Sequence, residues 1–365
     1  MRVTYVVNDA STGGAQTLVE GLAHRLGTRV NVSIVVLLAE GPLSPRLERV
    51  SDTTTYVGLD RRMRNPLKVV RAASRAISAT RPDVVHSHLL QSDFVAASSK
   101  MPSSVSRVST IHTTGMTAED PLASRVLGRL MGPLSHRFDE VVACTDGSVK
   151  YMRQMRYPKE TGIVIRNGVT ISSAVEPRPR SGSLLCLSRW HPMKDHGTLF
   201  ESLALARSRG YESTLRCAGS GMTDENEDLL SLIRHHSVSD QVELLGPVDD
   251  VEPLIDQADA IVISSRYGEA LPMAGLEALA QGTPVVTTDV GDSKLLSLAP
   301  QFLVRPQDTA ALSNSLLYLS RLSDVEYRAL SLSARRRAET YFSIEATADE
   351  YLKLYNRLQG EVARA

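Results

Sequence analysis

The chain is predicted to be an α/β protein of two domains, each built on a doubly wound parallel sheet. Its 365 residues suffice for two domains of ordinary size. In both halves, short apolar runs alternate with amphipathic helical patterns, as expected for parallel strands joined by helical crossovers. Between the halves, residues 171–183 contain Pro177, Pro179 and Gly182 and lack periodicity, which is typical of an interdomain linker.

The N-terminal domain is predicted to cover residues 1–170. Apolar runs indicate six strands in this region, at 3–7, 32–38, 84–88, 108–112, 140–144 and 162–165. Helical patterns occupy residues 15–26, 68–80 and 122–134. The alternation ends at Asn167-Gly168, a pair that favours a turn.

The C-terminal domain is predicted to cover residues 184–342, where the alternation restarts. Strands are expected at 184–188, 213–218, 241–245, 260–264, 284–288 and 302–304. Helices are expected at 198–209, 224–236, 273–281 and 310–321. Ser343 is a suitable N-cap for a last helix within residues 343–365.

The composition is that of a globular protein and excludes several function classes. Hydrophobic residues make up 42% of the chain and charged residues 22%. Aromatic residues make up only 5%, which argues against a stacking surface for nucleic acid. No apolar run is long enough for a transmembrane helix, and the N-terminus lacks the apolar core of a signal peptide. The three cysteines are scattered, so we expect buried thiols, no zinc site and a cytoplasmic protein.

Charge is divided unequally between the two halves. Residues 1–180 hold 24 Lys or Arg and 15 Asp or Glu, and residues 181–365 hold 17 and 26, so the halves carry +9 and −9. A basic first domain would attract an anionic or lipid-linked acceptor, or a membrane surface to which the protein binds peripherally. Solvated arginine-rich helix faces explain the same excess, and we favour that interpretation.

The helix at 122–134 has a similar ambiguity. Arg125 and Arg129 lie among six bulky apolar residues, a pattern that fits a basic amphipathic helix on a membrane. A helix that faces the core of the first domain gives the same pattern, and we favour the core-facing interpretation.

Two carboxylates eight residues apart are the most informative feature of the chain. Glu269 follows the strand at 260–264, and Glu277 lies two turns into the next helix, which Gly282 ends. Both positions face the crevice at which open α/β sheets bind ligands. Carboxylates there are suited to binding ribose or sugar hydroxyls, because charged acceptors make the stronger hydrogen bonds.

The residues around these carboxylates resemble the signature of retaining glycosyltransferases of family 4. The resemblance rests on residues 266–272 (Arg-Tyr-Gly-Glu-Ala-Leu-Pro), 277–286 and 289–291 (Asp-Val-Gly). It implies a GT-B architecture, in which two Rossmann-like domains face a central cleft that holds a nucleotide-sugar. It also implies that the last helix crosses back to the N-terminal domain. At Lys294 the chain departs from the family, which often has an acidic residue there; Asp292 is a candidate substitute.

A loop with two basic residues follows the first strand of the second domain. Arg189 and Lys194 lie beyond the carboxyl end of that strand, where they would meet a diphosphate. Their spacing matches the Arg-x-x-x-x-Lys element of the family, which implies that both hold the diphosphate and neutralise the leaving group. Asp195 stands where many family members have glycine.

Glycine-containing turns supply further candidates for donor binding. Gly13 and Gly14 open the first helix, where backbone amides approach an anion closely, although the Gly-x-Gly-x-x-Gly order of a dinucleotide site is missing. Gly219, after the strand at 213–218, fits either a nucleotide contact or a purely structural turn. Val248 lies where the family holds the nucleobase through backbone groups.

Three histidines lie at the edge of the predicted first sheet. His86 and His88 alternate along one strand, and His112 ends the next. A zinc site is disfavoured because no cysteine or carboxylate with ligand spacing accompanies them. His112 matches a histidine of the family that lies near the donor sugar or acceptor, so the resemblance implies an orienting hydrogen-bond donor. We expect His86 to be structural, and His88 stays open.

The resemblance implies a metal-independent, retaining transferase that moves sugar from a UDP- or GDP-sugar to an acceptor hydroxyl in glycan, polysaccharide or glycolipid synthesis. Arg189, Lys194, Glu269 and His112 would be catalytic. Glu277 would bind ribose, and the amides of Leu271, Pro272, Met273 and Ala274 would surround the donor. The alternatives are a nucleotide-sugar epimerase of GT-B-like fold and a non-catalytic nucleotide-binding protein. No metal or other cofactor is expected.

Overall fold

The computed structural model describes residues 1–60, 65–117, 120–158, 162–171 and 180–364. The chain divides into two compact units. Met1–Gly168 and Ile344–Ala365 form the first unit, and Val169–Ser343 form the second. Most of the predicted linker, at 172–179, lies outside the described residues.

Six parallel strands form the sheet of the first unit. They are β1 (Arg2–Val7), β2 (Asn31–Val36), β3 (Thr53–Tyr56), β4 (Val84–His88), β5 (Ser106–Ile111) and β6 (Glu140–Ala143), in the order β3-β2-β1-β4-β5-β6. The helices between them are α1 (Gly14–Leu26), α2 (Ser44–Arg49), α3 (Pro66–Ala79), α4 (Leu90–Ser98), α5 (Leu122–Leu134) and α6 (Asp146–Gln154).

The second unit repeats this arrangement. Its strands are β7 (Ser183–Leu187), β8 (Thr214–Ala218), β9 (Val242–Gly246), β10 (Ala260–Ile263), β11 (Val285–Thr288) and β12 (Leu303–Val304), in the order β9-β8-β7-β10-β11-β12. Its helices are α7 (His196–Arg207), α8 (Glu227–His235), α9 (Glu252–Asp256), α10 (Met273–Ala280), α11 (Thr309–Arg321) and α12 (Asp324–Tyr341). The two sheets therefore share one doubly wound topology, and the predicted fold class is confirmed.

Each sheet is covered by helices on both faces, because its strands are apolar on both sides. In β1, Tyr5 points into a core that includes α1 and the last helix, α13 (Ile344–Val362). The adjacent Val6 points into a second core with Ile77 of α3 and Val95 of α4. The last helix thus belongs to the first unit, where Tyr351 and Tyr355 are fully buried.

The shared topology fixes where a ligand site can form in each unit. In a doubly wound sheet, the chain reverses its winding direction between two neighbouring strands, and a crevice opens at their carboxyl ends. These strands are β1 and β4 in the first unit and β7 and β10 in the second. Both crevices are lined by the loops that carry the predicted site residues.

Two of the sequence predictions for strands are wrong. The strand predicted at 162–165 is reduced to a single bridge between Ala143 and Val164, as far as the described residues show, because β6 is an edge strand that pairs there with one residue only. Strand β3 was not predicted, because three of its four residues are threonines and give no apolar run.

Helix α5 has the predicted bounds but not the favoured orientation. Leu122, Val126 and Leu130 are 68%, 46% and 49% exposed, whereas Gly128 and Gly132 face the protein. A Cβ on Gly132 would lie 1.9 Å from the carbonyl oxygen of Met155, so only glycine permits this packing. The interpretation of α5 as a core-facing helix therefore holds for Met131 and Leu134 and is wrong for Leu122, Val126 and Leu130. Among the residues described, no helix is long and apolar enough to cross a membrane.

Candidate functional site

In the second unit, the loop after β7 presents the two predicted basic residues. Arg189 is exposed, and the next residue, Trp190, donates its amide to the carbonyl of Ser220 at 2.7 Å. A single 3-10 turn, Pro192–Lys194, then leads to α7. The loop is thus held against the neighbouring β8 loop, which limits where Arg189 can lie.

Asp195 occupies the position at which many family members have glycine, and its conformation shows how aspartate is accommodated there. Its φ of 51° and ψ of 55° lie in the left-handed region, which glycine occupies without strain. Asp195 also caps α7: its carboxylate accepts from the Thr198 amide at 3.4 Å and from the Thr198 hydroxyl at 2.8 Å. Aspartate is among the residues that tolerate this conformation, and the capping offsets part of the strain.

Lys194 and Glu269 form an ion pair at the carboxyl ends of β7 and β10. Their side chains are only 19% and 10% exposed, and Ser265 donates its hydroxyl to Glu269 Oε1 at 2.7 Å. The backbone is fixed as well, because Ser264 donates its hydroxyl to the carbonyl of Lys194 at 2.7 Å. The structure therefore brings these two predicted residues together in a rigid, desolvated position.

The ion pair keeps Glu269 charged. Burial raises the pKa of this carboxyl, but the charge of Lys194, hydrogen bonds from Lys194 and Ser265, and the charge of Arg189 outweigh burial. The net result is a pKa below the ordinary value, so Glu269 is ionised at neutral pH. A buried carboxylate of this kind is a strong hydrogen-bond acceptor.

The Asp-Val-Gly stretch, residues 289–291, packs against the loop that carries Glu269. Gly291 has a φ of 62°, and a Cβ at this position would lie 2.1 Å from the carbonyl oxygen of Glu269. The next residue, Asp292, donates its amide to the carbonyl of Ala270 at 2.9 Å. Gly291 is thus required by close packing against the site loop, which gives the motif a physical reason.

Helix α10 begins directly after this loop and carries the second carboxylate. Its first hydrogen bonds to the Pro272 carbonyl come from Gly275 and Leu276, so the amides of Met273 and Ala274 lie in the first turn, where no intrahelical acceptor exists. These amides and the helix dipole favour an anion at this end. Glu277 is half-buried in the same helix, and Leu271, Pro272 and Met273 are buried beside it.

The remaining donor-site candidates of this unit lie in the loops after β8 and β9. Gly219 has a φ of 142°, and a Cβ there would lie 2.3 Å from the Ser188 carbonyl oxygen. The close approach that Gly219 permits is therefore to the backbone that precedes Arg189. Val248 is half-buried in the loop after β9, and Gly219 donates its amide to the carbonyl of Gly246 at 2.8 Å.

In the first unit, Gly13 and Gly14 lie at the start of α1, as predicted from the sequence. Gly13 is the N-cap residue, in extended conformation, and no side chain caps the helix there. Asp9 organises the loop, because Gln16 donates to its Oδ1 at 2.9 Å and Ser11 donates its amide to the same atom at 3.1 Å. Asp9 was not predicted as a site residue, although a carboxylate two residues after β1 was a usable signal.

The three histidines form one array at the end of β4 and β5, in which His86 and His88 are buried and His112 is half-buried. His86 is structural: its Nδ1 lies 2.6 Å from the Tyr355 hydroxyl and its Nε2 lies 2.8 Å from the Thr110 hydroxyl. Because both nitrogens of His86 are engaged, the three rings do not converge on a common ligand. His88 Nδ1 lies 2.9 Å from His112 Nε2, so His88 contacts the predicted site histidine directly.

The environment of His88 assigns the proton positions. Its Nε2 is buried and has no hydrogen-bond partner within the described part of the chain. Buried N–H groups are orphaned more rarely than buried acceptors, so we place the proton on Nδ1, from which His88 donates to His112 Nε2. His112 is then protonated on Nδ1. Desolvation lowers the pKa of His112 to about 4 and that of His88 well below its ordinary value, so both are neutral at pH 7.

A second buried carboxylate is hydrogen-bonded to residues of β4 and β5. Asp93 of α4 accepts from the hydroxyls of Ser87 at 2.6 Å and Ser109 at 2.8 Å. Burial raises the pKa of Asp93 to about 7, and the two hydroxyls offset only part of that effect. Asp93 was not predicted as a site residue either, because a single Asp on a helix gives no signal of burial.

Two family models match the chain, one in each unit. Residues 12–173 match the model described as Glycosyltransferase Family 4, and residues 181–321 match Glycosyl transferases group 1. Together they cover most of the chain and both candidate sites. The chain contains a Glycosyltransferase Family 4 domain and a Glycosyl transferases group 1 domain. These matches confirm the resemblance to family 4 that the sequence predicts, whereas the retaining outcome stays a prediction.

Individual proteins extend the comparison. Glycogen synthase of Mycobacterium tuberculosis is 30% identical over 222 residues, which cover 58% of this chain and 53% of the relative. The chain thus aligns with about half the length of that relative. D-inositol 3-phosphate glycosyltransferase of Salinispora tropica is 26% identical over 76% of the chain and 64% of its own length.

Among solved structures, HepE of Anabaena in complex with UDP and glucose shares the fold. It has a TM-score of 0.81 and 19% identity, and the match covers 98% of this chain and 100% of HepE. At this identity the similarity establishes the architecture of the chain and leaves its ligands open.

Proposed function

We propose that the chain is a retaining glycosyltransferase that moves a sugar from a UDP- or GDP-sugar to an acceptor hydroxyl. The observation that carries this proposal is the buried Lys194–Glu269 pair beside the first turn of α10. It places a cation, an ionised carboxylate and free helix amides at one crevice of a doubly wound sheet. A nucleotide-sugar needs those three groups, for its diphosphate and for its hydroxyls.

Each residue has a role that follows from its chemistry. Arg189, which is exposed and able to make two parallel hydrogen bonds, binds the diphosphate together with Lys194 and the amides of Met273 and Ala274. Glu269 accepts hydrogen bonds from the sugar hydroxyls. Glu277 accepts them from the ribose.

The remaining groups proposed to bind substrate lie in the loops of each unit. In the second unit, Gly219 and Val248 contribute backbone contacts to the nucleoside. In the first unit, Gly13 and Gly14 offer amides to the donor or acceptor. The Nδ1–H of His112 orients a hydroxyl, and His88 fixes that tautomer.

The proposed reaction proceeds on one face of the sugar. The acceptor oxygen bonds to the anomeric carbon from the side on which the diphosphate leaves, as the bond between that carbon and the phosphate oxygen breaks. The acceptor proton passes to an oxygen of the leaving diphosphate. Arg189 and Lys194 stabilise the charge that develops there, so we propose no metal cofactor.

The acceptor is proposed to be a glycan, polysaccharide or lipid-linked hydroxyl that bears or adjoins negative charge. The excess of +9 in the first half of the chain supports an anionic acceptor. One relative is named for D-inositol 3-phosphate, a phosphate-bearing molecule, and another is a glycogen synthase. Both names are compatible with acceptor hydroxyls of carbohydrate type.

A direct test uses Glu277→Ala with the donor found for the wild-type chain. We expect transfer to fall by at least 100-fold, because the ribose loses a charged hydrogen-bond acceptor, while the variant keeps the far-UV circular dichroism of the wild type. Retained transfer would disprove the assignment. Product analysis without acceptor tests the alternatives: an epimerase would change the donor sugar, and a non-catalytic nucleotide-binding protein would release no sugar under any condition.

A further inference from the structure

Helix α5 of the first unit has three of its six bulky apolar side chains on the outside. Leu122, Val126 and Leu130 follow one another at four-residue spacing, so they form one stripe along the helix. The stripe lies opposite the buried Met131. The hydrophobic face of an amphipathic helix normally covers the core, so this orientation requires an explanation.

The glycines of α5 fix this orientation. Gly128 and Gly132 lie against the protein, where a Cβ on Gly128 would be 3.2 Å from Met116 Sδ and one on Gly132 would be 1.9 Å from the Met155 carbonyl oxygen. No side chain fits at Gly132, and Met131 is the bulky residue of α5 that is fully buried on this face. A rotation that buried the Leu122–Leu130 stripe is therefore excluded, and the stripe stays exposed.

The charged side chains within α5 are all positive, and Asp120, two residues before the helix, has its carboxylate engaged by the Thr117 amide at 2.7 Å. Arg125 and Arg129 lie one turn apart along one side of it, and the thirteen residues of α5 include no Asp or Glu. Helix α3, which packs on the other side of α4, also exposes a leucine in its first turn, Leu67. It carries Lys68, Arg71 and Arg75 and no carboxylate within its fourteen residues.

We propose that the outward face of α5 docks on the surface of an anionic lipid bilayer. The apolar stripe would enter the boundary between headgroups and acyl chains, and the arginines would meet the lipid phosphates. A basic helix without carboxylates complements that surface, whereas a second copy of the chain would bring like charges together. This inference is independent of the proposed reaction, since it concerns a surface that carries none of the residues assigned to donor or acceptor.

The experiment is vesicle co-sedimentation of the full chain without nucleotide. Vesicles of phosphatidylcholine alone are compared with vesicles that also contain phosphatidylglycerol. We expect binding that requires the anionic lipid and weakens with added salt. Replacing the stripe in the triple variant L122Q/V126Q/L130Q should weaken partitioning on the order of 100-fold, because three half-exposed apolar side chains lose their burial in the membrane. R125Q/R129Q should weaken it about 25-fold.

The matched control is V325Q/L332Q in α12. These residues are also exposed, at 79% and 43%, but α12 carries acidic side chains beside its basic ones. The control should bind vesicles as the wild type does, and all variants should keep the far-UV circular dichroism and melting temperature of the wild type.

Two results would overturn the proposal. One is a wild-type chain that fails to sediment with anionic vesicles. The other is a triple variant that is folded and binds them equally well. As a second measurement, hydrogen exchange should show α5 protected when anionic vesicles are added, and unchanged exchange in α5 would also contradict docking through this face. Loss of a dimer in the triple variant, without vesicle binding by the wild type, would instead identify the stripe as an interface between copies.

Discussion

Each unit buries a serine-bonded carboxylate, and the two units give these carboxylates opposite charge states. Asp93 in the first unit and Glu269 in the second are 1% and 8% exposed, and both accept hydrogen bonds from serine hydroxyls. Burial raises the pKa of Asp93 to about 7, whereas Glu269 has a pKa below its ordinary value, because Lys194 is paired with it. One cation therefore decides whether the same desolvation produces a neutral or a charged group.

The same contrast extends to the residues around each carboxylate. At the end of β4 and β5, desolvation keeps His88 and His112 neutral. At the end of β10, charged groups gather around Glu269. Two sheets of identical topology thus present a neutral hydrogen-bonding edge and a charged edge. Under the proposed function, the first edge would bind uncharged hydroxyls and the second a diphosphate, although both sheets have the same topology.

Removing the charge of Glu269 gives the largest expected effect. Glu269→Gln keeps the size of the side chain but leaves Lys194 without its partner, so we expect transfer to fall about 10³-fold. The matched control is Glu243→Gln on β9, which removes a half-exposed ion pair with Arg216 in the same unit and should leave transfer within about twofold of wild type. Steady-state rates of purified variants with saturating donor measure both. Equal loss of transfer in Glu269→Gln and Glu243→Gln would show that the effect is not specific to the charge of Glu269.

Asp93→Asn should remove a pH dependence of stability. The folded state holds a proton on Asp93 up to about pH 7, and the unfolded chain releases it near pH 4, so stability falls as pH rises through that window. The difference between pH 4.5 and pH 8 is about 3 kcal/mol in the wild type from this group alone. Denaturant unfolding at several pH values should show a shallower slope for Asp93→Asn. Identical slopes would mean that Asp93 is ionised in the fold.

Two substitutions of His88 distinguish the effect of its hydrogen bond from the effect of its ring size. His88→Asn retains a donor near the position of Nδ1, and His88→Phe retains only the ring shape. We expect about tenfold lower kcat for His88→Phe with little change in donor KM, and partial recovery for His88→Asn, because only Asn can still orient His112.

Nitrogen NMR tests the same point without turnover. Long-range proton–nitrogen spectra should show His88 and His112 both protonated on Nδ1 and neutral between pH 6 and 8. A His112 protonated on Nε2 would contradict the assigned direction of the hydrogen bond.

The smallest expected effect lies at Asp195. Asp195→Ala loses the cap of α7 and keeps the left-handed conformation, which should cost about 1–2 kcal/mol of unfolding free energy. Asp195→Gly loses the cap but relieves the strain, so it should lower the unfolding free energy by only a few tenths of a kcal/mol. Urea denaturation of both variants checks the order. A more stable Ala variant would mean that the capping bond is unimportant.

Much of the fold was predictable because its signals are local. The apolar runs of β4 and β10, and the helix stop at Gly282, follow from short stretches of sequence. Strand β3 was missed because threonines give no apolar signal. The face of α5 was misjudged because the deciding contact, Gly132 against the Met155 carbonyl, joins residues that no periodicity relates.

The candidate site was predictable where motif residues carry the chemistry themselves. Lys194 and Glu269 are 75 residues apart, and the resemblance placed both in one site before their contact was known. Supporting residues were not predictable in the same way. Ser265, Asp9 and Asp93 act through distances and burial that arise only when the strands are aligned.

Ligand-induced stabilisation tests the central claim most directly. Melting temperatures are measured for the wild type and for Arg189→Gln with UDP, GDP, ADP, CMP and common nucleotide-sugars, in the presence of EDTA. We expect one nucleoside diphosphate and its sugars to stabilise the wild type by about 2.7 kcal/mol at a hundredfold excess over Kd, and Arg189→Gln much less. No shift in the wild type, or an equal shift in both proteins, would contradict a donor site built around Arg189, Lys194 and Glu269.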